Sequence, residues 1–438
     1  MGLTGDSHAA PGAMMALALV PSAGILLGGF NSMFGNGLVA LAYGATLAIL
    51  CLRAPPGLRF WRRGAQALGL ALAAVVWAAM SLALGTPVAP DLGLSGLVGC
   101  LGMIAALLCG ALLGFRRARL SDFSDAVVLF GVLGLVVGCV LLRGDDAPLV
   151  IWRGEFEGRF RGTLGNANAS GAAYGAMAAL ALARALTTLA QGGRALPRRL
   201  KAGGYALLTV LLLGGLVITA SRSGMVLAVV ALGLVGVTAI ARKKGAQPLL
   251  LVVPVAVAAM AIGAGYGDLL YARFGHLPGE VAVREVIWRH NWAVARQALW
   301  LGYGVDAFPE INTRSLAGIR ETQAIWMTNS PHNIVLRLVI DAGLPYLLLI
   351  LASAIVIAAQ VALAARRRGI ALDEVALIAA IAVILGSAMV DIALEVPALA
   401  ALMFSCAGLL WGRSIAGHHV RIAATHLHPD PTEVEIGG

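Results

Sequence analysis

Apolar runs long enough to cross a bilayer repeat along nearly the whole chain, and they leave few folds open to it. A spanning helix needs roughly 17–25 apolar residues. Such runs fall at 13–33, 37–52, 64–84, 93–114, 124–142, 163–189, 202–220, 223–241, 247–266, 332–364, 375–395 and 397–412. In hydrocarbon every backbone N–H and C=O must find a partner, and a continuous run of this length does so as an α-helix. The expected fold is an all-α polytopic membrane protein of about twelve transmembrane helices. Composition agrees: 59% of residues are hydrophobic and 12% charged, where soluble domains carry about 25% charged residues. Residues 1–438 read as one transmembrane domain, with 267–331 a polar subregion between spans and 414–438 a polar tail. The first run has no basic stretch before it, so no cleaved signal peptide is read.

Orientation follows from where Lys and Arg fall between the runs. Alternate connections carry Arg53, Arg59, Arg62 and Arg63; Arg116, Arg117 and Arg119; Arg194, Arg198, Arg199 and Lys201; Arg242, Lys243 and Lys244; and Arg366, Arg367 and Arg368. The intervening connections at 34–36, 85–92 and 396 carry none. Positive charge stays inside, so both termini are expected in the cytoplasm. Residues 143–162, Arg222 and 267–331 then lie on the outer face, which in a Gram-negative cell is the periplasm. The net charge of +10 is accounted for by this topology, and no nucleic-acid partner is read from it. The five cysteines lie within or at the edge of apolar runs without metal or disulfide spacing, and the tail histidines at 418, 419, 426 and 428 read as part of a solvated tail.

Four polar stretches share the outer face. The first, Arg159 to Ser170, is rich in small residues, so a backbone can approach closely there; Asn166 and Asn168 are candidate helix caps. The second, Thr219 to Gly224, interrupts two apolar runs and forces a tight turn at Arg222, which either snorkels to headgroups or lines a cavity. The third, Glu280 to Leu301, has helical spacing that puts Val281, Arg284, Trp288, Trp292 and Arg296 on one broad face, as in an amphipathic helix at the membrane surface. The fourth, Thr328 to Asn333, reads as a helix start: Ser330 as N-cap, Pro331 in the first turn and His332 just inside. A helix N-terminus disfavours imidazolium and attracts anions, so His332 is a candidate base beside a candidate anion site. No HExxH, P-loop or dinucleotide fingerprint competes. Arginines that clamp phosphate oxygens beside a histidine that takes a hydroxyl proton suit transfer from a diphosphate donor.

In order along the chain, Arg161-Gly-Thr-Leu-Gly-Asn-Ala-Asn168, Ser221-Arg222-Ser-Gly, Arg284 with Trp288, Gly302-Tyr-Gly304 with Phe308, and Pro331-His332-Asn333 followed by Gly343 resemble the signature of the O-antigen ligase and O-antigen polymerase superfamily. Two positions depart from it: Asp341 stands where glutamate is common, and Ala167 where proline is usual. The resemblance implies a glycosyltransferase of the GT-C type with a large periplasmic loop, inverting and metal-independent, with no cofactor. Its donor would be an undecaprenyl-diphosphate-linked glycan and its acceptor lipid A-core. Carried over by position, Arg222 and Arg284 bind the diphosphate and His332 activates the acceptor hydroxyl; Arg161, Asn168, Arg289 and Arg337 are further candidate substrate contacts.

Ligase is the favoured branch, because one large outer loop carries the late motifs; a polymerase or a transferase to protein stays open. A transporter of lipid-linked sugar is the reading of a different class. It would use Arg337 with Asp341 and Asp391 with Glu395, each pair four apart, as a coupling-ion or proton path. For the first pair the alternative is a structural ion pair. No repeat relates the two halves, and the titratable groups gather at one face, both of which favour an enzyme.

Overall fold

The computed structural model describes residues 11–85, 87–141, 159–191, 196–242, 267, 271, 277–316 and 328–416. Among these the chain is helical, with no strand. The helices are α1 (Pro11–Leu26), α2 (Met33–Arg53), α3 (Leu58–Leu84), α4 (Pro90–Phe115), α5 (Leu120–Leu141), α6 (Ala167–Ala190) and α7 (Leu196–Thr219). They continue as α8 (Arg222–Arg242), α9 (Leu277–Gln297), α10 (Phe308–Ser315), α11 (Ile334–Arg368), α12 (Leu372–Ala388) and α13 (Pro397–Ile415). Nine of them, α2–α8, α11 and α13, are long and apolar enough to cross a membrane. The protein is a multi-pass, all-α membrane protein.

Two expected spans return shortened. The first run is divided after Leu26 by a 3₁₀ turn, Gly28–Phe30, whose Gly28 and Gly29 have φ of 85° and 82°. The eleventh stops at Ala388, so Asp391 and Glu395 are not on its helix but on the connector that follows, which holds a 3₁₀ turn at Ala393–Glu395. α13 runs to Ile415. The expected span 247–266, His276, Lys243, Lys244 and residues 417–438 lie outside the described residues.

Small residues set the packing. α6 is largely alanine and is buried along almost its whole length between α7, α8 and α12. α4 and α13 approach backbone to backbone through Gly110 and Gly114 on one helix and Gly408 and Gly412 on the other, each pair four residues apart. A Cβ on Gly110 would lie 2.6 Å from the Ser405 carbonyl oxygen, and one on Gly412 would collide with that of Ala111. Without a hydrophobic drive between helices in lipid, such close contact is a main source of association.

The bundle has two polar ends. At one, Arg368 pairs with buried Glu374 at 2.6 Å, Arg184 with Asp125 at 2.6 Å, and Arg413 donates to the Ala118 carbonyl at 2.9 Å. At the other, the starts of α6, α8 and α11 meet the end of α7 and the α12–α13 connector. Gly110→Val or Gly412→Val should cost ~1–3 kcal/mol by overpacking, read as a lower melting temperature of the solubilised protein. Gly233→Val, with open space around it, should leave that temperature unchanged.

Candidate functional site

Asp391 is the hub of the second polar end. It is buried, and its Oδ2 accepts from Asn168 Nδ2 at 2.5 Å and from Arg284 Nη2 at 3.3 Å. Its Oδ1 accepts the Ile392 N–H at 2.9 Å and lies 3.6 Å from His332 Nδ1. Burial alone would raise this carboxyl, but His332, the Ile392 N–H and Arg284 outweigh it and hold the acid below its ordinary range. Three separate stretches of chain thus converge on one carboxylate.

The Arg159–Ser170 stretch reaches it through local folding. Gly162 and Gly165 take left-handed φ of 59° and 67°, and Gly162 lies against Tyr174 and Ser170, where a Cβ would not fit. Asn166 then caps α6 by accepting the Asn168 and Ala169 N–H groups. Asn168 is not a cap: it accepts from Arg159 Nη2 at 2.7 Å and donates to Asp391. Arg159 Nε also donates to the Thr219 carbonyl at 3.1 Å, which ties this stretch to the turn before Arg222. That turn is tight, as expected, with Ala220 left-handed (φ 48°) and Ser221 Oγ accepting the Gly224 N–H. Arg222, half-buried, is the first residue of α8. Arg161 is half-buried beside this cluster, its carbonyl accepting from Ser170 Oγ.

α9 presents Arg284 on a different face from the one expected. Its buried stripe runs through Ile287, Asn291, Val294 and Ala295, with Arg284 and Trp288 at the margin; Val281, Trp292 and Arg296 are exposed. The apolar residues that decide the face are buried Ile287 with Val294 and Ala295, the last two packed with Leu336, Val339 and Ile340 of α11, and the tryptophan spacing misplaced it. Arg289 points outward, 77% exposed and paired with Glu285, so it does not join the cluster. His290 accepts or donates to Ser315 Oγ at 2.9 Å, and burial lowers its pKa. It bridges α9 to α10 and is not a free surface group.

His332 is not inside the first turn of α11. Asn333 is the N-cap, accepting the Leu336 N–H at 3.0 Å, because its backbone is extended and its side chain can fold back over the turn. His332 precedes the cap with φ of 51°, a conformation costing a non-glycine residue roughly 1–3 kcal/mol. Ser330 stabilises that turn instead of capping the helix: its Oγ accepts the His332 N–H at 2.9 Å.

Arg337 is buried among three carboxylates. It is 7% exposed and donates to Asp341 at 2.9 and 3.1 Å, Glu395 at 2.8 Å and Asp306 at 2.8 Å, above the Phe308 ring. A guanidinium this buried needs its charge offset, and three carboxylates do so. Asp391 and Glu395 do not pair with each other but serve different partners. α11 is itself broken at Ala342 and Gly343 (φ 81°), where Pro345 leaves the Asp341 carbonyl without its helical donor. The Gly302-Tyr303-Gly304 stretch fills the break: Tyr303 N–H donates to Ile340 at 2.9 Å, Gly304 N–H to Asp341 at 2.8 Å, and Leu344 N–H to Leu299 at 2.7 Å.

Fold and cluster define a class: a polytopic α-helical membrane protein with arginines, a histidine and a buried carboxylate gathered where several helices begin and end at one side of the bundle. Residues 207–351 match the family model described as O-Antigen ligase. No curated protein matches the sequence. The matched stretch contains Arg222, Arg284 and His332, whereas Arg159, Asn168 and Asp391 come from outside it. Sequence reasoning missed Arg159 and the place of Asp391 in this cluster. An acid at the end of an apolar run was the available signal for the second.

A depressed carboxyl contributes stability that is present above the ordinary carboxylate range and is lost as pH falls through its lowered folded-state value. Wild type should therefore melt above Asp391→Asn at neutral pH, and the gap should close in strong acid. An equal melting temperature for the two proteins at neutral pH would contradict the pairing.

Proposed function

We propose that the protein is an O-antigen ligase that moves a polysaccharide from undecaprenyl diphosphate to lipid A-core at the periplasmic face of the inner membrane. The observation that carries this reading is the convergence of Arg284, His332 and Asn168 on Asp391, with Arg159 linking Asn168 to the turn that bears Arg222. These residues lie at the end opposite to the basic connections, which agrees with a periplasmic site under the positive-inside rule.

The acceptor hydroxyl attacks the anomeric carbon of the lipid-linked sugar. The new C–O bond forms as the bond from that carbon to the diphosphate oxygen breaks, and undecaprenyl diphosphate leaves with the electron pair. A single displacement inverts the anomeric centre. The hydroxyl proton passes to His332 at Nε2, on the ring edge away from Asp391, whose Oδ1 faces Nδ1 at 3.6 Å. Arg222 and Arg284 bind the diphosphate and offset the charge that grows as it leaves, so this chemistry does not require a metal. Arg284 reaches Asp391 without donor and can turn part of its planar fork toward a phosphate.

Arg222→Ala and Arg284→Ala should each abolish transfer and weaken binding of the lipid-linked donor, with lysine a poor substitute at both. His332→Ala should lose roughly 10²- to 10⁴-fold in turnover while still binding donor. Reconstituted protein, lipid-linked polysaccharide and lipid A-core measure both. If alanine at both arginines leaves donor affinity intact, the diphosphate is held elsewhere. If the product is a longer lipid-linked glycan and not modified lipid A-core, the protein is the polymerase of the same superfamily.

A further inference from the structure

We propose that Ser330 and Glu395 are positioning residues for His332, forming with Arg337 a strut that fixes the backbone of the histidine. This deepens the reading of His332 given above and rests on it. Ser330 is buried, and its Oγ does two things at once: it accepts the His332 N–H at 2.9 Å and donates to Glu395 Oε1. The other oxygen of Glu395 accepts from Arg337 Nη1 at 2.8 Å. Arg337 is immobilised by Asp341 and by Asp306, which in turn accepts from Asn36 Nδ2 at 3.1 Å at the start of α2. The chain of contacts therefore runs from the peptide of His332 to the rigid part of the bundle.

Three features make this more than incidental packing. His332 holds a left-handed φ of 51°, which a non-glycine residue keeps only where its surroundings enforce it, and the Ser330 hydrogen bond is on its own peptide. Asn333 Nδ2 also donates to the Met389 carbonyl at 3.0 Å, so the turn is held on both sides of the histidine. Asp391 and Glu395 belong to one short connector, α12–α13: Asp391 faces the ring at 3.6 Å, and Glu395 accepts from the Ser330 hydroxyl that holds the His332 N–H. Displacing the turn would move Nε2 relative to the acceptor hydroxyl without touching the arginines that hold the donor. The predicted signature is a loss in kcat with donor affinity preserved.

The test is a series at Ser330 in two backgrounds, wild type and His332→Gln, assayed for transfer of lipid-linked polysaccharide to lipid A-core and for donor Kd. Ser330→Ala should lower kcat roughly ten- to a hundredfold, Ser330→Cys should fall between, and Ser330→Thr should restore most of the rate, all with unchanged donor Kd. In the His332→Gln background the same changes should have little further effect, because the group being positioned is gone. Equal fold-losses in both backgrounds, or a parallel loss of donor binding, would show a general structural role and overturn the strut. An impaired His332→Gln with a fully active Ser330→Ala overturns the strut alone. Wild-type turnover by His332→Gln overturns the functional reading of the histidine itself. The graded series decides the matter even if the alanine variant does not fold.

Discussion

A carboxylate buried at the end of an apolar bundle cannot stand alone, and Asp391 imposes that requirement on its surroundings. Burial without partners would neutralise it. Asn168 from the start of α6, Arg284 from α9, His332 from the turn before α11 and the connector's own Ile392 N–H supply what water would have supplied. Residues more than two hundred positions apart are thereby brought to one atom group, and the polar end of the bundle acquires its shape. Arg337 states the same rule with the sign reversed, one buried guanidinium drawing in Asp306, Asp341 and Glu395.

The backbone obeys a parallel constraint. Pro345 removes the donor that the Asp341 carbonyl would have had in a continuous helix, and the break at Ala342–Gly343 exposes further groups. The Gly302–Gly304 stretch satisfies them strand-fashion, and Trp77 Nε1 donates to the Ala342 carbonyl at 3.0 Å. Gly302 sits so close to the Asp341–Ala342 backbone that a Cβ would lie 2.6 Å away, and its φ is 64°. Two short glycine signatures far apart in sequence are thus halves of one joint, and that joint fixes the half-helix bearing Arg337 and Asp341 beside the cluster.

The all-α membrane fold was legible because apolar length is a local property that hydrocarbon enforces directly; among the described residues nine of the runs return as helices long and apolar enough to span. The resemblance to the superfamily was legible in the ordered motifs around Arg222, Arg284 and His332, and the family match over 207–351 agrees. Errors arose where a choice depended on a neighbour in space. Ser330 and Asn333 are both good caps by type, and only the Glu395 acceptor draws Ser330 away. Asp391 and Glu395, spaced as if on one helix, lie together on a connector whose 3₁₀ turn no periodicity announces. Arg337 and Arg289 look alike as candidates, but three carboxylates bury one, while a single exposed Glu285 holds the other at the surface.

The central claim is that this end of the bundle is where a lipid diphosphate meets an activated hydroxyl. A structure of the protein with undecaprenyl diphosphate bound tests it most directly. The account predicts the diphosphate within hydrogen-bond reach of Arg222 and Arg284, on the side of His332 away from Asp391. A diphosphate held instead at the opposite end by Arg368 and Arg413, or beside neither Arg222 nor Arg284, would contradict it.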